Sequence, residues 1–407
     1  MTKITANHCS DMKAVLLVAM LPTLSLFAQE AAQLPPTAHP RAQEVQPGVG
    51  TPPAAPTPSA SETPRVPVQT SPANDAARYL AGLPVAPGSP LTALTQDPRW
   101  LAHARAMNQA FSQLDQRQLN NIRIFQAENI APATQLSRTC LYLFSGPDFL
   151  YADAMFPNCS TSVLQGLEPI DPMPDLLTLP PDALFGTLES IEKSLNTILS
   201  FSFFKTKDMR EELERSQLKG VLPAIFVFMA RTGKEIKGVQ YISLDKAGNV
   251  LEGFQGATRG TKIAFTDVAS GSERVTYYFT SDLSDDATKR NQSLFRFCES
   301  LGPANSLLKA ASYLLHEGGF DTVRNFLLQD STAILQDDSG IPVHYFTPDR
   351  WTLRFFGVYT APIDLFKKFY QADLRQYYAT SSPKPLTFGF GYRWSSRSST
   401  LILAVRK

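Results

Sequence analysis

A proline tract limits what this chain can fold into more than any other feature. Residues 35–72 hold 11 prolines in 38 positions and no aromatic side chain. Proline lacks the amide proton that helices and ladders use. A stretch without aromatics also buries too little apolar surface to offset the entropy of ordering it. The tract therefore reads as extended or disordered spacer, and a compact fold has to be built from the residues after it. On this basis the sequence divides into a signal peptide (1–28), a disordered Pro/Ala-rich linker (29–74), an N-terminal helical segment (75–130) and a mixed α/β globular domain (131–407). No Pro/Gly-rich linker or internal repeat interrupts the last of these, whose length suits one large domain.

The tract is preceded by Met12-Lys13, the apolar run Ala14–Leu21, then Pro22, Leu24, Leu26, Phe27, Ala28 and the polar Gln29-Glu30. A charged start, a short apolar core and a small residue before a polar flank make a secretory signal peptide. The apolar stretch is about 15 residues, short of the roughly 20 that span a bilayer. Cleavage after Ala28 is expected, with an uncleaved anchor helix as the competing reading. Met1 and Met12 compete as the start. Cys9 precedes the apolar run and so is not a lipobox cysteine. The expected location is secreted or periplasmic. The longest later apolar run, Val221–Ala230, is a core element on length grounds. Export disfavours enzymes that consume ATP, NAD or S-adenosylmethionine. A net charge of +1, from 38 basic and 37 acidic residues with no basic stripe, argues against nucleic acid.

Three cysteines follow the leader: Cys140, Cys159 and Cys298. Cys140 and Cys159 bracket a short segment and could bridge in an oxidising compartment. Three buried thiols acting as small apolar residues is the equal alternative. The spacing fits no zinc pattern, and five histidines stand at no ligand spacing. No metal or cofactor is expected.

A short helix is predicted over Ala76–Leu83. A longer one begins at Asp97, with Pro98 in its first turn. Trp100, Ala104, Met107, Phe111, Leu114, Gln118, Ile122 and Phe125 then recur every three or four residues. That stripe packs on the parent domain or forms a coiled-coil arm, giving a homodimer through 97–126. Strands at Cys140–Phe144 and Thr161–Gln165 flank a helix at Phe149–Phe156, the opening unit of a parallel α/β sheet. A helix from Pro180-Pro181-Asp182 buries Leu184, Leu188, Ile191, Leu195, Ile198 and Leu199. Asp208 and Glu211 form a capping pair for the next helix. Phe201, Phe203 and Phe204 are core or one wall of a cleft. From Ile236 to Leu283 the period changes to two, a meander of antiparallel strands. Helices are predicted at Pro303–His316, Thr322–Leu328 and Pro362–Tyr378, and strands at Thr332–Leu335, Val343–Phe346 and Thr352–Val358. Leu386–Arg393 pairs with Thr400–Val405 as a hairpin. The fold class is mixed α/β.

Chemistry-bearing residues concentrate in Tyr142–Asp153, with Glu168 beyond. At the carboxyl ends of an open α/β sheet, Ser145, Asp148 and Glu168 would line the ligand crevice. Gly146 and Glu168 stand 22 positions apart, near the glycine-to-acid spacing of dinucleotide units, but the glycine pattern is missing. Ser145 is placed as a nucleophile elbow would be, yet Leu143 and Pro147 occupy the glycine positions of G-x-S-x-G. Its simpler reading, like that of Asp148, is a helix cap. Ser202–Lys205 matches S-x-x-K by chance. Asp337-Asp338, near His344, reads more simply as a turn, and His316–Gly319 as a helix end. The candidate catalytic residues are Ser145, Asp148, Glu168 and His344.

The wording FSGPDFLYA, followed by GLEP, the run Pro172–Asp175 and QDDSGIP, with PGSPL at Pro87–Leu91, resembles a group of exported bacterial proteins of uncharacterised function. The resemblance spans 75–407 and implies no activity, cofactor or catalytic residue. The expected function is a non-enzymatic envelope or binding protein. The alternative is a hydrolase of an envelope or extracellular substrate using Ser145 or the acids Asp148 and Glu168. A single cleft holding Ser145, Asp148, Glu168 and His344 would favour the hydrolase.

Overall fold

The computed structural model describes residues 71–201 and 218–407. The leader, nearly all of the proline tract, Ser202–Lys205, Phe203, Phe204 and the Asp208/Glu211 pair lie outside the described residues. Ser71 accepts from the Asn74 amide and starts α1 (Pro72–Leu80), four residues earlier than the helix read from Ala76. Asp97 accepts from the Arg99 amide and starts α2 (Pro98–Leu114). Through a π turn at Asp115–Leu119, α2 runs on into α3 (Asn120–Phe125) and a second π turn at Gln126–Ile130. Every member of the stripe from Trp100 to Phe125 is buried against the rest of the domain.

The strand–helix–strand unit comes next as β1 (Thr139–Tyr142), α4 (Phe149–Met155) and β2 (Thr161–Gly166), with β1 and β2 parallel. In α5 (Pro181–Phe201) the six apolar positions predicted to face inward are buried. The run from Val221 is α6 (Leu222–Arg231), apolar and buried almost all round. Beyond it lie β3 (Lys234–Leu244), β4 (Val250–Glu252), β5 (Thr258–Asp267) and β6 (Glu273–Thr280), antiparallel to one another. The expected meander is only partly realised. The chain passes back over β4 to pair β5 with β3, and β6 lies parallel to β2 in the same sheet.

Two helices not anticipated, α7 (Asp285–Arg290) and α8 (Ser293–Ser300), lead to β7 (Ala304–Leu308). Then come α9 (Asp321–Asp330), β8 (Ser331–Gln336), β9 (Trp351–Gly357), α10 (Ala372–Thr380) and β10 (Thr400–Arg406). The ten strands form one sheet in the order β4-β3-β5-β6-β2-β1-β7-β8-β10-β9. Its middle, β6-β2-β1-β7-β8, is parallel, and both wings are antiparallel. Alternation along the strands divides the core between two faces. Cys140 and Tyr142 join α1 to α6 on one face, and Leu141 and Leu143 join α8 and α9 on the other.

Several sequence expectations are corrected. Pro303–His316 is not a helix but β7 followed by a 3-10 turn at Ala311–His316. Every residue of β7 is buried between β1 and β8, and its polar side chains are satisfied there. Asn305 donates to the Thr134 and Ser137 carbonyls, and Ser306 bonds Ser331. Val343–Phe346 is not a strand, since Val343–Tyr345 is a 3-10 turn behind Pro342. Leu386–Arg393 forms no hairpin with β10, which inserts between β8 and β9. Pro362–Tyr378 divides into a 3-10 turn (Asp364–Phe369) and α10, because the backbone is extended at Gln371, whose side chain bonds the Val343 amide and the Asp338 carbonyl. No helix among the described residues is long and apolar enough to cross a membrane.

Candidate functional site

β1 has β2 on one side and β7 on the other. The chain leaves β1 through α4 toward β2 and returns to β7 only after the wing is built. Such a reversal opens a crevice outside the carboxyl ends of the strands. The turns at that edge are Phe144–Asp148 after β1, Gly166–Glu168 after β2, Lys309-Ala310 after β7 and Asp337–Gly340 after β8. Two of them hold non-glycine residues in the left-handed region, Phe144 at φ 64° and Ala310 at φ 63°, a conformation that costs about 1 kcal/mol or more.

Asp148 is the centre of this edge. One carboxylate oxygen caps α4 by accepting from the Tyr151 amide at 3.1 Å. The other accepts from the Tyr142 hydroxyl at 3.0 Å and from Lys309 Nζ at 2.6 Å. Both partners of the ion pair are closed off from solvent, with 2% of each side chain exposed. Lys309 Nζ also lies 3.3 Å from the centre of the Tyr151 ring, a cation–π contact. Burial pulls the lysine below its usual proton affinity, and the Asp148 charge opposes that pull.

Beside the pair, the Asp337 carboxylate accepts from the Ala310 amide at 3.0 Å and from the Ser339 amide and hydroxyl. Asp338 accepts from the Tyr313 hydroxyl at 2.7 Å. Both acids are held above the ordinary carboxylate range, Asp337 by burial and Asp338 by burial and the neighbouring Asp337 charge. Asp148 and Asp337 thus share Lys309, while the cation acting on Asp338 is Arg393.

Of the four sequence candidates, Ser145, Asp148 and Glu168 gather at the carboxyl ends of β1 and β2. The Ser145 hydroxyl donates to the Gly146 and Gln165 carbonyls and accepts from the Gln165 amide, tying the two strand ends together. The Glu168 carboxylate accepts from the Tyr278 hydroxyl at 3.2 Å. It folds back against the end of β2, where a Cβ on Gly166 would stand 2.2 Å from its Oε2, and reaches the β1–α4 turn, where a Cβ on Gly146 would stand 3.4 Å from its Oε1. The Gly146 amide is spent on the Gln165 carbonyl. The glycine and acid that resemble a dinucleotide unit therefore pack on each other. His344 sits apart, exposed on its 3-10 turn with its ring 4.2 Å from Tyr345. Sequence reasoning missed Lys309. Its one signal was position, a charge directly behind a small and apolar run that could have been read as a buried strand.

The crevice is filled by the chain itself. In residues 386–394, Leu386 is buried against Gly357 of β9 and Phe388 against Phe125, while Phe390 reaches the strand ends beside Tyr151 and Lys309. Gly391, at φ +66°, lies so close that a Cβ would stand 1.8 Å from Asp337 Oδ2. Gln118 clamps Gly389 from the long helix, accepting from its amide and donating to its carbonyl. The Tyr392 ring stacks on Tyr313 at 6.2 Å.

An open pocket of about 390 Å³ lies next to this edge, lined by His316, His344, Tyr345, Phe369, Tyr370 and Gln371 among others. Burial pushes His316 down to about 4, and its buried Nε2 has no hydrogen-bond partner among the described residues. Among the described residues, no group of three or more His, Cys, Asp or Glu is placed to hold a metal ion. Compared with protein-family models, with curated proteins and with solved structures, the chain matches none.

Proposed function

We propose that this is an exported, non-enzymatic envelope protein that binds a small ligand in the pocket beside α10. The observation that carries the reading is the filled crevice. Residues 386–394 occupy the place where an open α/β sheet takes its substrate, and Ser145, Asp148 and Glu168 are each engaged by neighbours in the fold. The pocket of about 390 Å³ falls at the low end of small-molecule sites, and its aromatic rings with a few polar groups suit that role. The stripe of the long helix is spent on the domain's own core, so a homodimer through 97–126 is disfavoured.

The hydrolase is the second reading because Ser145, Asp148 and Glu168 gather at the carboxyl ends of β1 and β2, beside Asp337 and Asp338, whose carboxyls are raised as those of general acids are. It requires 386–394 to move aside. One experiment separates the two. A panel of saccharides, muropeptides and amino acids is screened for a rise in Tm, in wild type and Tyr370→Ala, alongside a hydrolase panel on wild type, Asp148→Asn and Glu168→Gln. A compound that lifts Tm only when Tyr370 is present supports binding. Hydrolysis in wild type that Asp148→Asn or Glu168→Gln abolishes overturns it.

A further inference from the structure

We propose that Cys140 and Cys159 form an intramolecular disulfide when the chain folds under oxidising conditions. Strand alternation puts Cys140 on the same face of β1 as Tyr142, in the same core as Cys159 just ahead of β2. The register sets Cys140 beside Ser162, three residues on from Cys159, and the two thiols, both free in the structure, lie close enough to interact. Cys298 belongs to the core on the opposite face of the sheet, so it cannot compete for either one. Three cysteines with one leftover thus resolve into a pair and a buried single thiol.

Both members of the pair are nearly closed to solvent, at 1% and 4% exposure. A dissolved oxidant does not reach them in the finished fold, so the bond closes while the β1–α4–β2 unit is assembling. One cysteine thiolate attacks a small disulfide such as oxidised glutathione, forms a mixed disulfide and expels one glutathione thiolate. The second cysteine thiolate then attacks the protein sulfur of that mixed disulfide and expels the other. The two protein thiols give up two protons and two electrons, and one glutathione disulfide becomes two thiols. The closed loop contains α4, and with it the Asp148 cap that holds Lys309.

The location of this chemistry rests on the export reading, so the test has two arms. The full chain, reduced and unfolded, is refolded in a reduced/oxidised glutathione mixture and examined by intact mass and non-reducing peptide mapping. The expected result is a loss of about 2 Da, a Cys140–Cys159 linked peptide, and Cys298 still open to alkylation after denaturation. Cys298→Ser should keep the bond. Four free thiols after refolding, Cys9 included, or a bond that takes in Cys298 or Cys9, would overturn the pairing. In the second arm the same mapping is applied to protein recovered from the producing cells. A bond that forms in glutathione but is missing there upholds the pairing and counts against export.

Discussion

Two buried charge clusters in this protein are built from the same residue types and behave oppositely. At the amino ends of β3 and β6, Lys234 bonds Asp153 at 2.9 Å and Asp267 at 2.5 Å, while Arg274 bonds Asp153 at 2.8 Å. Two cations meet two acids. Burial pushes Asp267 up, but hydrogen bonds from Lys234 and the Ser270 amide outweigh it and hold the carboxyl below its usual range. At the carboxyl ends of β1, β7 and β8, Lys309 pairs directly with Asp148 alone, and Asp337 and Asp338 form no ion pair of their own among the described residues. There burial prevails over the charges of Lys309 and Arg393, and Asp337 and Asp338 are raised. Burial raises all three of these carboxyls, and a directly bonded cation decides whether that rise is overcome. The first cluster braces α4 against the antiparallel wing, and in the second burial holds the Asp337 and Asp338 carboxyls above their usual range.

The largest expected effect that tests this contrast is Lys309→Met. It leaves Asp148 buried without its cation, which costs about 3–5 kcal/mol. The cost should be largest near pH 8 and shrink toward pH 5, where the crowded carboxyls take up protons. Urea unfolding at both pH values measures it, and an equal loss at each would break the contrast. Gly391→Ala comes next, at about 2–4 kcal/mol. The new methyl meets the Asp337 carboxylate in a left-handed backbone, whereas Gly271, at φ +69° with nothing within 4 Å, should cost only about 1 kcal/mol for the same change. Comparable Tm losses for the two glycines would show that 386–394 does not press on the acids.

The smallest effect is in pH dependence. Asp337 and Asp338 bind protons more tightly folded than unfolded, so their contribution is present at low pH and is lost as pH rises from about 4 toward neutrality. His316 has the opposite sign. Its folded value of about 4 lies below the usual 6.5, so its contribution is present above about 6.5 and is lost as pH falls toward 4. In wild type the two offset. Asp338→Asn removes part of the acid side, and stability should then fall more steeply between pH 7 and pH 4.5, by a further amount on the order of 1–2 kcal/mol. A profile parallel to wild type would show that Asp338 does not titrate in this range.

What could be read in advance was whatever local chemistry decides. Asp97 with Pro98 started the long helix where a cap and a first-turn proline should, and the period of its apolar residues identified its buried face. The β1–α4–β2 unit was legible because Gly146-Pro147 and Pro157-Asn158 punctuate it. β7 was not, because Ala304–Leu308 carries no β-branched residue and becomes a strand only by filling the gap between β1 and β8. The path of Leu386–Arg393 was also hidden. Its alternating Phe388 and Phe390 look like a strand, but Gly389 and Gly391 let the backbone press against Gln118 and Asp337 instead of a neighbouring ladder. At the site, Asp337-Asp338 was correctly a turn. Its closeness to Lys309 depended on the strand that could not be seen.

β10 lies between β8 and β9, although it comes after both in the chain. A ribosome or a translocation channel delivers the chain from one end, so β8 and β9 emerge without the neighbour that joins them. Until 400–406 arrives, one flank of the sheet has an open gap, and 386–394 has no anchored end from which to cross the strand ends. A chain that stops before that point lacks the strand that joins β8 to β9.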